Sequence, residues 1–129
     1  MAETMETVKN IRDNSATSNS VDFGDTSKPL GRMVRDCTDG SGPNSCDAGP
    51  FYASSDNYVT CNSANNCQIA YTNNGYEAKS GYSQTNFKRY FYIEDVDSDQ
   101  KKVHVIVSWN IGTIPFQTEI IGLLTKELR

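Results

Sequence analysis

Apolar residues recur at helical spacing at the start of the chain. Ala2, Met5, Val8 and Ile11 fall three residues apart, which predicts a helix over residues 1–14 with one apolar side. The following NSATSNS consists of residues that favour local side-chain bonds to the backbone over helix, so the helix should end near residue 13. Because an isolated helix of about four turns is marginal in water, this stripe is expected to pack on another element.

Two strands are predicted in the last third of the chain. In NFKRYFYIEDV, Phe87, Phe91 and Ile93 share one side, with Arg89 as an exception. In KKVHVIVSW the apolar side consists of Val103, Val105, Val107 and Trp109. The polar DVDSDQKK between them predicts a turn, so the two runs form an antiparallel hairpin whose apolar residues make the sheet core.

The segment PFQTEIIGLLTKEL fits two periods. Phe116, Thr118, Ile120 and Leu124 can alternate along a strand, while Ile120, Leu123 and Leu124 can begin a helix. The preceding proline and the β-branched residues favour a strand, which completes an antiparallel meander over residues 86–129.

Residues 15–85 are rich in turn residues. Asp-Gly, Asn-Gly, Gly-Pro and Lys-Pro steps interrupt the segment every few positions, and only NYVT and CQIAYT read as short strands. The expected fold is therefore a single α+β domain, residues 1–129, in which the N-terminal helix packs on an antiparallel sheet and a loop-rich region separates them.

Length and charge narrow the picture further. A chain of 129 residues with 36% hydrophobic residues supports one small core. The net charge of −4 and the lack of a basic patch argue against nucleic acid as a partner. No run of eighteen apolar residues is present in the sequence, so no membrane span is expected within it.

Four cysteines lie in polar surroundings: Cys37, Cys46, Cys61 and Cys67. Their even number in a small loop-rich domain predicts disulfides and an oxidising compartment, and their spacing does not fit a zinc site. Three pairings are possible. A Cys61–Cys67 bond would tie two neighbouring strands, and Cys37–Cys46 would then close the Gly-rich loop.

Candidate catalytic and metal-binding residues are few. The single His104 falls on the polar side of its strand, where we expect a solvated histidine and no general base. Asp95, Asp97 and Asp99 resemble the first half of a calcium loop, but Gln100 stands where glycine is expected, and a hairpin turn accounts for them equally. No catalytic residue, metal or cofactor is predicted.

Tyrosines are scattered through the loop region among Asn, Ser and Gly, a mixture typical of adaptable contact surfaces. Contact loops and caps on a small core remain equal explanations for them. The residues concerned are Tyr52, Tyr58, Tyr71, Tyr76 and Tyr82.

Three stretches resemble the type IV pilins and the related type II secretion pseudopilins, in particular minor pilins. ETMETVKNIRDN is similar to the part of the long pilin helix that enters the globular head. FKRYFYIEDVDSDQKKVHVIVSW is similar to the head-domain hairpin, and FQTEIIGLLT to the strand that follows it. Together they cover somewhat less than half of the chain.

This resemblance implies a non-enzymatic structural subunit with a pilin-like head. Its partners would be other pilin subunits in a filament and, before assembly, the inner membrane, reached through an apolar segment upstream of Ala2. The expected location is the periplasm or an extracellular filament, and the present sequence would begin partway along a longer helix. The alternative is a secreted, disulfide-stabilised adhesin or recognition module that uses the tyrosine-rich loops.

Overall fold

Two short helices and one large sheet make up the fold. The computed structural model describes residues 2–16, 20–38, 45–49, 52, 57–61, 67–73, 75–79 and 81–127. The helices are α1 (Ala2–Asn14) and α2 (Pro29–Cys37). The strands are β1 (Cys46–Ala48), β2 (Tyr58–Thr60), β3 (Gln68–Thr72), β4 (Gly75–Ala78), β5 (Ser83–Asp95), β6 (Gln100–Ile111) and β7 (Ile114–Thr125).

Strand β5 is the centre of the sheet. Along one edge it pairs with β6, which in turn pairs with β7. Along its other edge it pairs with β3 near its start and with β1 near its end, and these strands carry β4 and β2 respectively. Every one of these pairings is antiparallel. The strands at the edges of the described sheet are β2, β4 and β7.

The predicted α+β fold, with the N-terminal helix as the layer packed on the sheet, is wrong. The structure is mostly antiparallel sheet with two short helices. Helix α1 has 13 residues and is therefore about 20 Å long, whereas β5 also has 13 residues and extends about 43 Å. A helix of this length does not form a layer over strands of that length.

The three long strands form a regular meander. Phe91 lies opposite Val105, which lies opposite Ile120, and the register continues without interruption along β6 and β7. Gly112 and Thr113 form the two-residue turn between them, with Gly112 at a φ of 64°. A positive φ at the first turn position suits glycine and gives a turn whose twist matches the strands.

Helix α2 lies in the segment expected to be loop. Pro29 occupies its first turn, where a missing N–H costs nothing, and its buried residues include Leu30, Met33 and Cys37. The hydroxyl of Ser15 accepts a hydrogen bond from the Leu30 N–H at 3.1 Å and so joins the end of α1 to the start of α2.

Both helices and the sheet contribute to the main core. Met5, Val8 and Ile11 are buried there, and the side chain of Ala2 lies outside the described part. Of the residues expected in the sheet core, four are fully buried and three are not. The buried ones are Phe91, Ile93, Val103 and Val105; the others are Val107 and Trp109, which are half-buried, and Phe87, which is exposed.

Two disulfides confirm the prediction from the cysteines. Cys37 is bonded to Cys46, which ties α2 to β1, and Cys61 is bonded to Cys67, which joins the end of β2 to the start of β3. Neither bond touches β6 or β7, so covalent cross-linking is confined to one side of the sheet.

Val8 provides a test of this packing, because its side chain is fully buried in the main core. Val8→Asp should lower the free energy of unfolding by about 3 kcal/mol or more, since the substitution places an unpaired carboxylate in an apolar core. Asn10→Asp adds the same charge on the exposed side of α1 and is the control. Equal urea midpoints for the two variants would contradict the packing.

Candidate functional site

A row of three aromatic side chains crosses the meander at an exposed level. Phe87, Trp109 and Phe116 lie opposite one another on β5, β6 and β7. The ring centroids of Phe87 and Trp109 are 6.1 Å apart, and those of Trp109 and Phe116 are 5.9 Å apart and nearly parallel. Phe87 and Phe116 are 46% and 41% exposed, which is unusual for large apolar residues on one continuous surface.

This aromatic row lies on the same face of the sheet as the main core. Side chains alternate along a strand, so Phe87 points the same way as Phe91, four positions further along β5. Met5 of α1 lies against β7 at Gly122, where an added Cβ would lie 2.6 Å from the Met5 sulfur. The row therefore continues the core face beyond its buried residues, and Ile111 and Ile114 extend it to the turn.

Three of the five tyrosines for which contact loops and core caps were equal explanations lie at another exposed corner. Tyr71 and Tyr76 face each other on β3 and β4, with ring centroids 5.3 Å apart. The Lys79 ammonium lies 5.0 Å from the centre of the Tyr82 ring. All three tyrosine side chains are well exposed, so they are available for contact.

The other two tyrosines are not available for contact and fit the second explanation from sequence, in which tyrosines cap a small core. Tyr58 is buried, and its hydroxyl donates to Asp36 Oδ2 at 2.6 Å. Tyr52 is also buried; its hydroxyl donates to the Asp47 carboxylate and accepts from the Ala78 N–H at 2.9 Å. The Tyr58 hydroxyl is thus bonded to α2, and the Tyr52 hydroxyl is bonded to β1 and β4.

Asp47 and Arg89 form a buried ion pair. Arg89 Nε donates to Asp47 Oδ1 at 2.7 Å and Nη2 donates to Oδ2 at 2.9 Å, a two-point geometry that makes a strong pair. Burial alone would lower the pKa of Arg89, but the hydrogen bond to Asp47 and the charge of that carboxylate, with smaller contributions from other acidic groups, together outweigh burial and raise the pKa. This pairing explains the arginine in the apolar alternation of β5.

His104 is nearly buried, so the expectation of a solvated histidine is wrong. Its Nδ1 lies 2.5 Å from Glu119 Oε1 and its Nε2 lies 3.3 Å from Glu94 Oε1. The ring stacks on Tyr92 at a centroid distance of 4.5 Å. Both ring nitrogens are engaged by carboxylates on neighbouring strands, which gives this histidine a cross-strand structural role.

The acidic turn between β5 and β6 is held by its own contacts. Asp95 pairs with Lys101, and Asp97 Oδ1 accepts from the Asp99 N–H at 2.8 Å. Among the residues that the structure describes, no three histidine, cysteine, aspartate or glutamate side chains are grouped to hold a metal ion. The described helices include none that is long and apolar enough to cross a membrane.

Sequence reasoning missed Asp47 and the exposure of the aromatic row. Asp47 lies in the turn-rich stretch before Gly49, where nothing local indicates burial. The position of Arg89 on an otherwise apolar side of its strand was a signal that an acidic partner lies nearby, but it did not identify that partner. Comparison with known proteins adds nothing further: no family model matches the sequence, and neither the curated proteins nor the solved structures contain a significant match.

The ion pair yields a prediction on stability. Arg89→Met should lower the free energy of unfolding by about 3–5 kcal/mol, because it leaves the buried Asp47 charge without its partner. The double variant Asp47→Leu/Arg89→Met should lose less than the single variant, since no charge is then buried alone. Urea unfolding of Arg89→Met, Asp47→Leu and the double variant measures this coupling, and additive losses would contradict it.

Tyr52 yields a prediction on pH. Burial, and after it the Asp47 carboxylate, raises the pKa of Tyr52 well above its usual value. A group with a raised folded-state pKa contributes stability below its unfolded pKa and loses it as pH rises, so stability should fall above about pH 10 by up to about 1.4 kcal/mol per unit.

The matched variant is Tyr52→Phe, which removes the titrating hydroxyl. Its stability at pH 7 should be lower, because the hydrogen bond to Asp47 is lost, yet its decline from pH 9 to 11 should be shallower. Urea unfolding across that range compares the two proteins. Curves that remain parallel would show that Tyr52 is not the group responsible.

Proposed function

We propose that this protein is a non-enzymatic structural subunit of a type IV pilus or related pseudopilus. In this proposal α1 is the C-terminal part of a longer helix that anchors the subunit in the inner membrane and later packs in the filament. Other pilin subunits are its partners, and its place is the periplasm or an extracellular filament.

The aromatic row carries the proposal. An apolar face that continues the core beyond its buried residues is suited to contact with another protein surface, as a subunit of an assembly requires. Met5 of α1 lies against Gly122 of β7, on the same face of the sheet as Phe116. In this proposal another subunit covers the part of the face that carries the aromatic row.

The chemistry of the remaining polar groups supports a role without catalysis. The four cysteines are consumed in disulfides, and both nitrogens of the single histidine face carboxylates. The disulfides also suit a protein that works outside the cytoplasm.

A recognition module is the second candidate, and the exposed tyrosines favour it. Tyr71 and Tyr76 present a pair of rigid amphipathic rings, and Tyr82 presents another beside Lys79, which is the kind of surface that binding loops use. In this case the protein would be secreted and would act without assembling into a filament.

The coding sequence immediately upstream of Met1 separates the two candidates. A pilus subunit should encode about twenty apolar residues there, continuous in helical phase with Met5, Val8 and Ile11. A conventional signal peptide with a cleavage site beside Ala2 would overturn the pilus proposal and favour the recognition module. Determining this sequence and the mature N-terminus by mass spectrometry gives the answer.

A further inference from the structure

Among the residues that the structure describes, none pairs with the outer edge of strand β7. Within the described residues it pairs only with β6, from Ile114 to Thr125. The described contacts of Ser20 and Val21 with this part of the chain lie beyond the end of β7. Ser20 forms a β-bridge with Glu127, and the Val21 N–H donates to the Lys126 carbonyl at 2.9 Å. Twelve residues thus offer an edge to which another strand can pair.

The usual protection of such an edge is weak in β7. Exposed strands are normally shielded by charges, prolines or bulges, yet β7 has Pro115 only near one end. Its single charged residue, Glu119, is directed to His104 of β6 at 2.5 Å. Large apolar side chains on both faces of the strand are exposed: Ile114, Phe116, Ile121 and Leu123.

Strand length indicates which partner fits this edge. The other two edges of the described sheet are β2 and β4, with three and four residues, and neither matches twelve. Another copy of β7 has the same length and the same apolar residues. Identical strands that pair antiparallel form a closed two-fold contact, whereas pairing with β2 or β4 would generate an open chain.

The side chains near the middle of β7 distinguish two registers of a two-fold pair, one centred on Glu119 and one on Thr118. A two-fold axis perpendicular to the sheet leaves the core faces of both copies on the same side of the joined sheet. Such an axis passes midway between one residue of β7 and the same residue of the other copy. An axis at Glu119 would oppose two carboxylates, which is unfavourable. An axis at Thr118 instead sets Gln117 opposite the partner's Glu119.

The same axis covers apolar surface. It sets Phe116 opposite the partner's Ile120, and Ile114 opposite the partner's Gly122, where Met5 lies over the strand. Each copy thereby shields the exposed end of the other's β7. The facing residues near the axis are uncharged apart from Glu119, which suits contact between two molecules of like net charge.

We propose that two copies of this chain associate through β7, antiparallel and centred on Thr118, to form one continuous sheet. The contact does not rest on the proposed function, because it requires only the described β7 edge. It would hold for a pilus subunit and for a secreted module alike.

Cross-linking at the axis tests the register. Thr118→Cys sets two thiols on directly opposed residues, whose Cα atoms in an antiparallel pair are about 4.5–5.5 Å apart, within the range for a disulfide. Under mild oxidation this variant should form a covalent dimer on a non-reducing gel. Thr113→Cys is the matched control, because its position in the exposed turn lies far from the axis and should cross-link much more slowly.

Self-association tests the contact itself. The unmodified protein should form a dimer in light scattering, and Thr118→Lys should weaken that dimer at least about tenfold, because two ammonium groups meet at the axis. Thr118 is exposed, so at a concentration at which both proteins are monomers the Thr118→Lys variant should have the same melting temperature as the unmodified protein. A protein that stays monomeric, equal cross-linking of both cysteine variants, or open-ended oligomers would each overturn the proposal.

Discussion

The ion pair between Asp47 and Arg89 is the interaction on which the sheet depends. Arg89 lies on β5 between the part that pairs with β3 and the part that pairs with β1. Its backbone N–H donates to the Cys67 carbonyl, and its guanidinium reaches both Asp47 and the Tyr76 carbonyl. One side chain thus links β5 to β1 and to β4 where the edge of β5 changes its partner. The Tyr52 hydroxyl also donates to Asp47 and accepts from the Ala78 N–H, so it links β1 to β4 as well.

The sequence predicted the long strands well because alternation is a strong local signal. Phe91, Ile93, Val103 and Val105 repeat at the strand period, and the structure buries all four. Helix α2 was not predicted from the sequence, because Pro29 and Gly31 suggest a turn. Its buried residues Leu30, Met33 and Cys37 nevertheless have helical spacing. Gly31 is required by packing: an added Cβ would lie 2.0 Å from the Asp25 carbonyl oxygen.

The candidate surfaces were less predictable, and the reason is the same in each case. Alternation identifies the face on which Phe87 and Trp109 lie, but not how far along that face the helices extend. Likewise, a tyrosine between polar residues can be buried or exposed, and only its tertiary partners decide. Tyr52 is buried because Asp47 and Ala78 meet its hydroxyl, whereas Tyr71 and Tyr76 meet mainly each other.

The connections of β5 have a consequence for the order of folding. Short turns join β5, β6 and β7, so their contacts are close in sequence, and such pairings form quickly because little chain entropy is lost in closing them. Cys46 and Phe91, by contrast, must meet across a long intervening segment. The meander can therefore form early, and the free edge of β5 then serves as a template for the pairing of β1. The Cys37–Cys46 bond shortens the search of β1 for this edge.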